Sequence, residues 1–553
     1  MIKWIYIVLA AWALIGCSNT GTGEYFVRSI PVVCDYPFND TSKFAVTCRV
    51  WGLLKYYHPN VTAGKFDWDK VLLDMLDRIN DALTPEEVNA ELMRMVRTAG
   101  KYKRSADKAW NDSLNMNVSL CWLDHSFIND SLRQTLKDIA SLTVKQPSHY
   151  VNAKEFTGAL VFTNEKDYAM IDIMDYKYRL LALFRYWNVI YYFFPYKYMM
   201  DQPWDETLEE FIPQFMKAIH TRLYREAVIK LATRLNDGHA TSSVLDFPHG
   251  LYRSLCVVDD FTVVRTPFEK SLLKRGDIIL GINGKDIKTV RDSITVFIPS
   301  SNKLYTNNIV SETVWQTITD GAILEVLRDK QKLIIHEQKR PARNRQSSDT
   351  ADACKMMPGN IGYVDLGLLE RSDVAVMMDR LKKAGGIIFD LRNYPKSCDG
   401  CWDICRRLTS TPIYQYGQAI KVDLSHCGAF EKHDLYVRSQ EKAEKDVYNG
   451  IAIVLTDALT ASAGETMAIC FRIHGATLIG TPTAGANGDI ATLLLPGNIN
   501  ARYSSIGFFY PDGEEMQRKG IIPDIEVYPT MESIMEGKDE ILERAITYIN
   551  DLK

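Results

Sequence analysis

The stretch that most limits what this chain can fold into is Thr456–Asp489, TDALTASAGETMAICFRIHGATLIGTPTAGANGD. It predicts a strand, a tight turn, a helix and a second strand that ends in a glycine-rich loop. Ile451–Leu455 (IAIVL) is a short apolar run suited to a buried strand. Ala461, Ser462, Ala463 and Gly464 are all small, so a backbone or a substrate can come close there. The helix that follows sets Ala463, Met467, Cys470 and Phe471 on one face, with Gly475 just past its end. Ser462 thus falls at a helix N-terminus, where free N–H groups and the helix dipole stabilise an anion. A nucleophilic serine with its oxyanion hole belongs at such a place. An ordinary N-capping serine fits there as well.

Other segments narrow that choice. GGIIFDLRNYP (Gly385–Pro395) lies upstream, LIGTPTAG (Leu478–Gly485) follows the helix, and GIIPDIEV (Gly520–Val527) lies downstream. With S-A-G-E opening at Ser462, these segments and their order resemble the serine peptidases of the C-terminal processing and tricorn-core family. The resemblance covers most of the chain after about Phe184. It implies an α/β core of the ClpP/crotonase type in which the serine attacks a peptide carbonyl.

In the family's processing-protease branch a lysine base follows the serine in an F-G-K segment. The matching residues here are Ala484, Gly485, Ala486 and Asn487, so that lysine is missing. The tricorn-like branch takes its base from an upstream histidine. LNDGHA (Leu235–Ala240) resembles that branch's L-x-D-G-H-A signature, with His239 at the catalytic histidine. An imidazole with an ordinary pKa near ~6.5 suits the removal of a serine proton at neutral pH. By the same resemblance, an acid just before the G-x-x-P-D segment orients the histidine. Gln517 aligns there, Glu515 lies two residues earlier, and Asp237 is a rival within the D-G-H turn. A glutamine holds an imidazole by hydrogen bonding but cannot stabilise imidazolium by charge. The orienting residue therefore stays open among these three. Ala463, the residue after the nucleophile, is expected to give one oxyanion N–H. The family's second donor is a glycine after D-L-R-N. Here Tyr394, Pro395 and Lys396 follow instead, and proline has no N–H to give.

Between histidine and serine, LLKRGDIILGINGKDI (Leu272–Ile287) and GAILEVLR (Gly321–Arg328) resemble the core of a PDZ domain. Such a domain captures an extended peptide by strand addition and commonly holds its terminal carboxylate in backbone N–H groups. A generic β-rich insertion is the plainer alternative. SSNKLYTNN (Ser300–Asn308) is expected to be an exposed loop, and the polar RPARNRQSSDTADA (Arg340–Ala353) a linker.

At the N-terminus Lys3 precedes an apolar run from Trp4 to Ile15, which meets Gly16 and Cys17. This resembles a bacterial lipoprotein signal cleaved before Cys17, whose thiol takes the lipid. The run is too short for a comfortable transmembrane helix. Lipid on Cys17 tethers a soluble enzyme to a membrane from the exported side, and Ser18 is compatible with outer-membrane sorting. A net charge of −4, with 24% charged residues of both signs, gives no reason to expect a nucleic-acid partner.

At 553 residues the chain has room for three or four domains. Its first part holds an internal repeat. Arg49, Trp51, Tyr56, Pro59, Trp68, Asp69 and Leu72 recur as Arg185, Trp187, Tyr192, Pro195, Trp204, Asp205 and Leu208, always 136 positions later. Each copy predicts an aromatic amphipathic helix, a Pro-containing loop and a second helix starting near W-D. The aromatics belong either to a core or to a sugar- or peptide-binding surface, and the core is the expectation. Cys398, Cys401 and Cys405, with His426 and Cys427 following, have spacings that could hold zinc. Packed or paired thiols one helical turn apart are as natural, and a disulfide suits an exported chain better.

The expected organisation is a signal peptide over 1–16, a tether over 17–40 and a helical N-terminal region with the repeat over 41–245. A β-rich PDZ-like domain over 250–342, a linker over 343–354 and an α/β ClpP/crotonase-like core over 355–553 follow. The expected function is that of a lipid-anchored serine endopeptidase on the exported side of a bacterial envelope. Its Ser462 forms an acyl-enzyme with His239 as base, and the PDZ module selects or gates substrates by a C-terminal end. The substrate is a protein or peptide, no metal or organic cofactor is needed, and family analogy leaves room for a homo-oligomer. The first alternative is a catalytically silent peptide-binding lipoprotein that keeps the fold. The Tyr394–Pro395 departure and the open acid position favour it; intact Ser462 and His239 oppose it. A crotonase-like acyl-CoA enzyme, the other alternative, accounts for neither the PDZ-like segment nor the lipid signal.

Overall fold

Two buried helices at the heart of the N-terminal region show what the repeat builds. A computed structural model describes residues 37–103, 115–243, 253–267, 271–339, 353–410, 413–436 and 447–552. The signal segment, Cys17 and all but the last residue of the Arg340–Ala353 linker lie outside the described residues. Helices Asp40–Tyr57 and Tyr176–Phe193 open the two repeat copies, and nearly every side chain on them is buried, Arg49 and Arg185 included. The expectation of amphipathic helices is corrected here. Each copy packs around the first helix of the other, and a helix covered on every side needs no polar face. The second helices, Trp68–Asp81 and Trp204–Lys217, begin at the W-D pairs.

Within each copy the two tryptophans lock their helices together by exchanging hydrogen bonds. Trp51 Nε1 donates to the Trp68 carbonyl at 3.0 Å and Trp68 Nε1 to that of Trp51 at 3.1 Å. Trp187 and Trp204 do the same at 3.1 and 3.0 Å. Between copies the charges are exchanged: Arg49 pairs with Asp205 at 3.3 Å, and Arg185 pairs with Asp69. A buried guanidinium without such a partner would be strongly destabilising. The repeat's tryptophans and tyrosines are therefore core, since Trp51, Tyr56, Trp68, Trp187, Tyr192 and Trp204 are all buried.

The middle of the chain is an antiparallel sheet of strands Leu255–Val258, Phe261–Val264, Ile278–Ile282, Ala322–Arg328 and Gln331–Glu337, in that order. Helix Lys303–Thr319 packs against its Leu255–Val258 edge. The expected exposed loop at Ser300–Asn308 is thus overturned. Asn302 is the N-cap, accepting from Tyr305 N at 2.9 Å, and Val310, Val314, Trp315 and Ile318 carry the helix into the core. The polar S-S-N start is a helix-capping sequence rather than a loop.

The C-terminal part is built on a six-stranded sheet, Cys354–Met357, Ile361–Asp365, Gly386–Asp390, Ile451–Thr456, Thr477–Gly480 and Ile525–Glu526 in spatial order. All neighbours are parallel except the first pair. Central parallel strands are covered on both faces, which is why they read as unbroken apolar runs. Phe389, Val454 and Leu478 face one core with Phe471, while Ile388, Ile453 and Ile479 face another with Ile541 and Ile549. Ser462 follows the C-terminal end of Ile451–Thr456, the end of a parallel sheet where ligands bind. A hairpin, Ile490–Leu495 with Ile499–Ser504, buries Leu493, Leu495 and Tyr503 in the core of the helical region. Among the described residues, no helix is long and apolar enough to cross a membrane.

Candidate active site

Ser462 sits in a sharp turn between strand Ile451–Thr456 and helix Ala463–Ile473, with φ of 55°. That left-handed value is costly for a residue with a side chain, so the surroundings must impose it. Two bonds do so directly: Ser462 N donates to the Ala486 carbonyl at 2.8 Å and faces Glu465 Oε2 at 3.3 Å. Glu465 is fully buried and also accepts from Thr483 Oγ1 at 2.5 Å, Gly485 N at 2.7 Å and Ala486 N at 3.0 Å. Four donors match the lone pairs of a carboxylate. Burial pushes the Glu465 carboxyl up to about 7, against the pull of those hydrogen bonds. Sequence reasoning missed this residue, although an acid three places after an N-cap is a capping-box signal.

His239 is held in the Leu235–Ala240 turn by Asp237, whose Oδ1 accepts from His239 N at 3.0 Å. Its Nδ1 lies 2.8 Å from Ser504 Oγ. Ser504 Oγ donates to Asp237 Oδ1 at 2.9 Å, and Ser504 N donates to Asp237 Oδ2 at 2.7 Å. Because the Ser504 proton goes to Asp237, the hydroxyl oxygen is left to accept from Nδ1–H. That tautomer leaves Nε2 unprotonated, as a general base requires. Burial lowers the His239 pKa, with the charges of Asp237 and Asp489 opposing it, so the resting imidazole is neutral.

Of the three candidate orienting residues, Asp237 reaches the ring, through Ser504. Gln517 points its Nε2 at Asp237 Oδ1, 3.4 Å away, and Glu515 accepts from the Tyr198 hydroxyl. Ser504 was not anticipated. It closes a strand 265 positions from His239, and nothing local in the sequence marks it.

The histidine turn and the serine turn meet on Ala486. A Cβ built on Gly238 would lie 2.9 Å from Ala486 Cβ, so only glycine allows this approach. Gly238 N donates to Ser301 Oγ at 2.7 Å. Next door, Asn302 Nδ2 donates to the carbonyls of Thr483 at 3.0 Å and Ala484 at 2.9 Å. The start of helix Lys303–Thr319 therefore braces both halves of the site. On the other side of Ser462, the Pro395 ring approaches the helix start, its Cδ 3.9 Å from where a Cβ on Gly464 would stand.

Cys398, Cys401 and Cys405 lie on one short helix with Cys470 packed nearby, and all four are free thiols. His426 Nδ1 is bound by Asp423 at 2.6 Å and Cys427 is buried against the Tyr56 carbonyl. Among the described residues, no three or more His, Cys, Asp or Glu side chains are grouped to hold a metal ion. Cys121 is disulfide-bonded.

Residues 360–527 match peptidase family S41. No curated protein gives a significant match. Among solved structures, mature CPAF in complex with lactacystin aligns with 68% of this chain and 98% of its own at 12% identity, with a TM-score of 0.53. The photosystem II D1 C-terminal processing protease covers 66% of this chain and 98% of its own at 16% identity, with a TM-score of 0.36. The tricorn protease covers 68% and 37% at 13% identity, with a TM-score of 0.33. The CPAF likeness supports a shared fold, and the other two carry no structural argument. With the family match falling on the segment that bears Ser462, the chain is a serine-type peptidase whose S41 domain spans residues 360–527.

Proposed function

We propose that this chain is an exported, lipid-anchored endopeptidase that cuts peptide bonds through an acyl-enzyme on Ser462, with His239 as its base. The observation that carries the reading is the meeting of the Gly238–His239 and Ser462 turns on Ala486. In the mechanism, His239 Nε2 takes the Ser462 Oγ proton as Oγ bonds to the scissile carbonyl carbon. The Ala463 N–H stabilises the oxyanion. The imidazolium then gives its proton to the amine nitrogen as the C–N bond breaks. A water deprotonated by the same ring attacks the ester, and its collapse returns the proton to Ser462. Asp237, acting through Ser504, supports the charged ring and fixes its tautomer.

The wider reading keeps a ClpP/crotonase-like core, a PDZ-like middle unit that selects or gates a peptide by its C-terminal end, and lipid on Cys17. The antiparallel sheet with helix Lys303–Thr319 along its edge supports a strand-adding peptide site. The disulfide at Cys121 suits an oxidising compartment. A fluorophosphonate probe tests the chemistry. Labelling of the wild type should vanish in both Ser462→Ala and His239→Ala. Loss in Ser462→Ala alone would place the base elsewhere, and an unlabelled folded wild type would refute the activated serine.

A further inference from the structure

Arg518 holds a backbone conformation that glycine favours. Its φ is 64°, in the left-handed region, where a side chain is costly unless the surroundings hold it. The main-chain half of that restraint is tight. Arg518 N donates to the Gly485 carbonyl at 2.8 Å, and a Cβ on Gly485 would lie 2.8 Å from the Arg518 carbonyl carbon. Gly485 N in turn donates to Glu465 Oε1 at 2.7 Å, and Glu465 Oε2 faces Ser462 N at 3.3 Å. The Arg518 turn is thus linked through Gly485 and Glu465 to the nucleophile's own turn.

The guanidinium leaves that turn and gathers acceptors from the other two regions. Nη1 donates to the Met199 carbonyl and Nη2 to Asp201 Oδ1 at 2.7 Å, both in the helical region. Nε points at the Ser301 carbonyl, 3.4 Å away in the middle unit. Two of these acceptors lead to the histidine turn. Asp201 Oδ2 accepts from Asn236 Nδ2 at 2.8 Å, and Asp201 N donates to Asn236 Oδ1 at 2.9 Å. Asn236 directly precedes Asp237 and is itself left-handed, with φ of 50°. Ser301 Oγ accepts from Gly238 N at 2.7 Å. Arginine's planar fork presents donors in three directions at once, whereas a lysine carries all of its donors on one nitrogen.

We propose that Arg518 is a positioning residue that sets the His239 turn against the Ser462 turn, which rests on the Ser462–His239 reading above. Its main chain holds the glycine-rich loop through Gly485, and its side chain holds the histidine turn through Asp201 and Ser301. A glycine at 518 would relieve the backbone strain but release all three acceptors. Magnitudes separate this role from a purely structural one. The Asp201 side chain is 65% exposed, and an ion pair with so exposed a partner adds little to stability. Proton transfer from Ser462 to His239 depends steeply on their separation, and a displacement of about 1 Å is enough to slow a reaction about 10²-fold.

The test is fluorophosphonate labelling of the full chain, resolved into the maximal rate kinact and the probe's affinity KI. Loss of labelling in Ser462→Ala and His239→Ala checks the underlying reading independently; a wild type that does not label would remove that reading. Arg518→Gly, which keeps the left-handed turn without its strain, is expected to lower kinact about 10²-fold with KI and Tm little changed. Arg518→Lys, which keeps the charge but not the fork, should lower it nearly as far. Asp201→Ala, at an exposed position, should lower kinact about 10-fold, and adding it to Arg518→Gly should slow labelling no further, because both remove one clamp. Wild-type kinact in Arg518→Gly, or in Asp201→Ala if the glycine variant does not fold, would overturn the proposal. So would a loss confined to KI, or losses that multiply in the double variant.

Discussion

At Glu465 four donors converge on a carboxyl that burial alone would keep protonated, and the site's pH response follows from that contest. Burial puts the folded pKa at about 7, against an ordinary value of 4.5. As pH falls through about 7 the carboxyl gains a proton, and one of its lone pairs no longer meets the Ser462 or Ala486 N–H. The labelling rate should therefore fall on the acid side of about pH 7. His239 does not set that limb, because burial lowers its pKa from 6.5. In Glu465→Gln the rate should drop at every pH, and the remaining limb should lie below 6.5; a limb still near 7 would assign it to another group. Stability runs the other way. Between 4.5 and about 7 the folded state binds more protons than the unfolded one, so this group's contribution to stability declines as pH rises through that window. Ser504 gives a second prediction. Ser504→Ala should slow labelling by about 10²-fold, since it leaves Nδ1–H without an acceptor and Asp237 without a link to the ring. Ser504→Thr keeps the hydroxyl and should retain most of the rate. His239 and Ser462 stood out in the sequence because short signatures surround them. Ser504 did not, because its role comes from a pairing 265 positions away.

The repeated helices show the same division one level up. Their starts at Trp68 and Trp204 were legible from W-D, since each puts an acid in the first turn, where the helix dipole favours it. Their burial on all sides was not, because it depends on the other copy. Asn188 occupies the space above Gly52, where a Cβ would come within 1.8 Å of its Oδ1. It cannot easily move, as its Nδ2 donates to the carbonyls of Cys48 at 3.1 Å and Phe184 at 2.9 Å. Gly52→Ala should thus cost about 1–3 kcal/mol by overpacking, measured by chemical denaturation. Arg185→Ala should cost more, about 3–5 kcal/mol, because it leaves Asp69 and Glu165 buried with fewer partners. Near-zero changes in both would deny that the two copies form one core.

Across the whole molecule the site is assembled from three regions. The helical region ends in the His239 turn, the middle unit contributes Ser301 and Asn302, and the S41 domain contributes Ser462, Glu465 and Ser504. Asn302 hydrogen-bonds neither reacting side chain, yet it ties the Thr483–Ala484 carbonyls to the middle unit. Asn302→Ala should lower the labelling rate about 10-fold with little change in Tm, because misplacement remote from the chemistry is enough to weaken it. A full-rate variant would show that the middle unit does not brace the glycine-rich loop. The same residue explains the misread Ser300–Asn308 stretch. Its polar look belongs to a helix cap that faces the active site rather than solvent.

What the sequence determined by itself is what neighbouring residues settle among themselves. That includes the apolar runs of the parallel strands, the strand-to-helix turn at Ser462, the D-G-H turn at His239 and the W-D helix starts. The tertiary structure alone decided the Asp237–Ser504–His239 chain, the Thr483, Gly485 and Ala486 donors on Glu465 and the ion pairs exchanged between repeat copies. Each joins residues brought together only by packing. A polar side chain's partner, unlike a helix cap, is fixed by whichever distant surface closes over it and leaves it no water to bond.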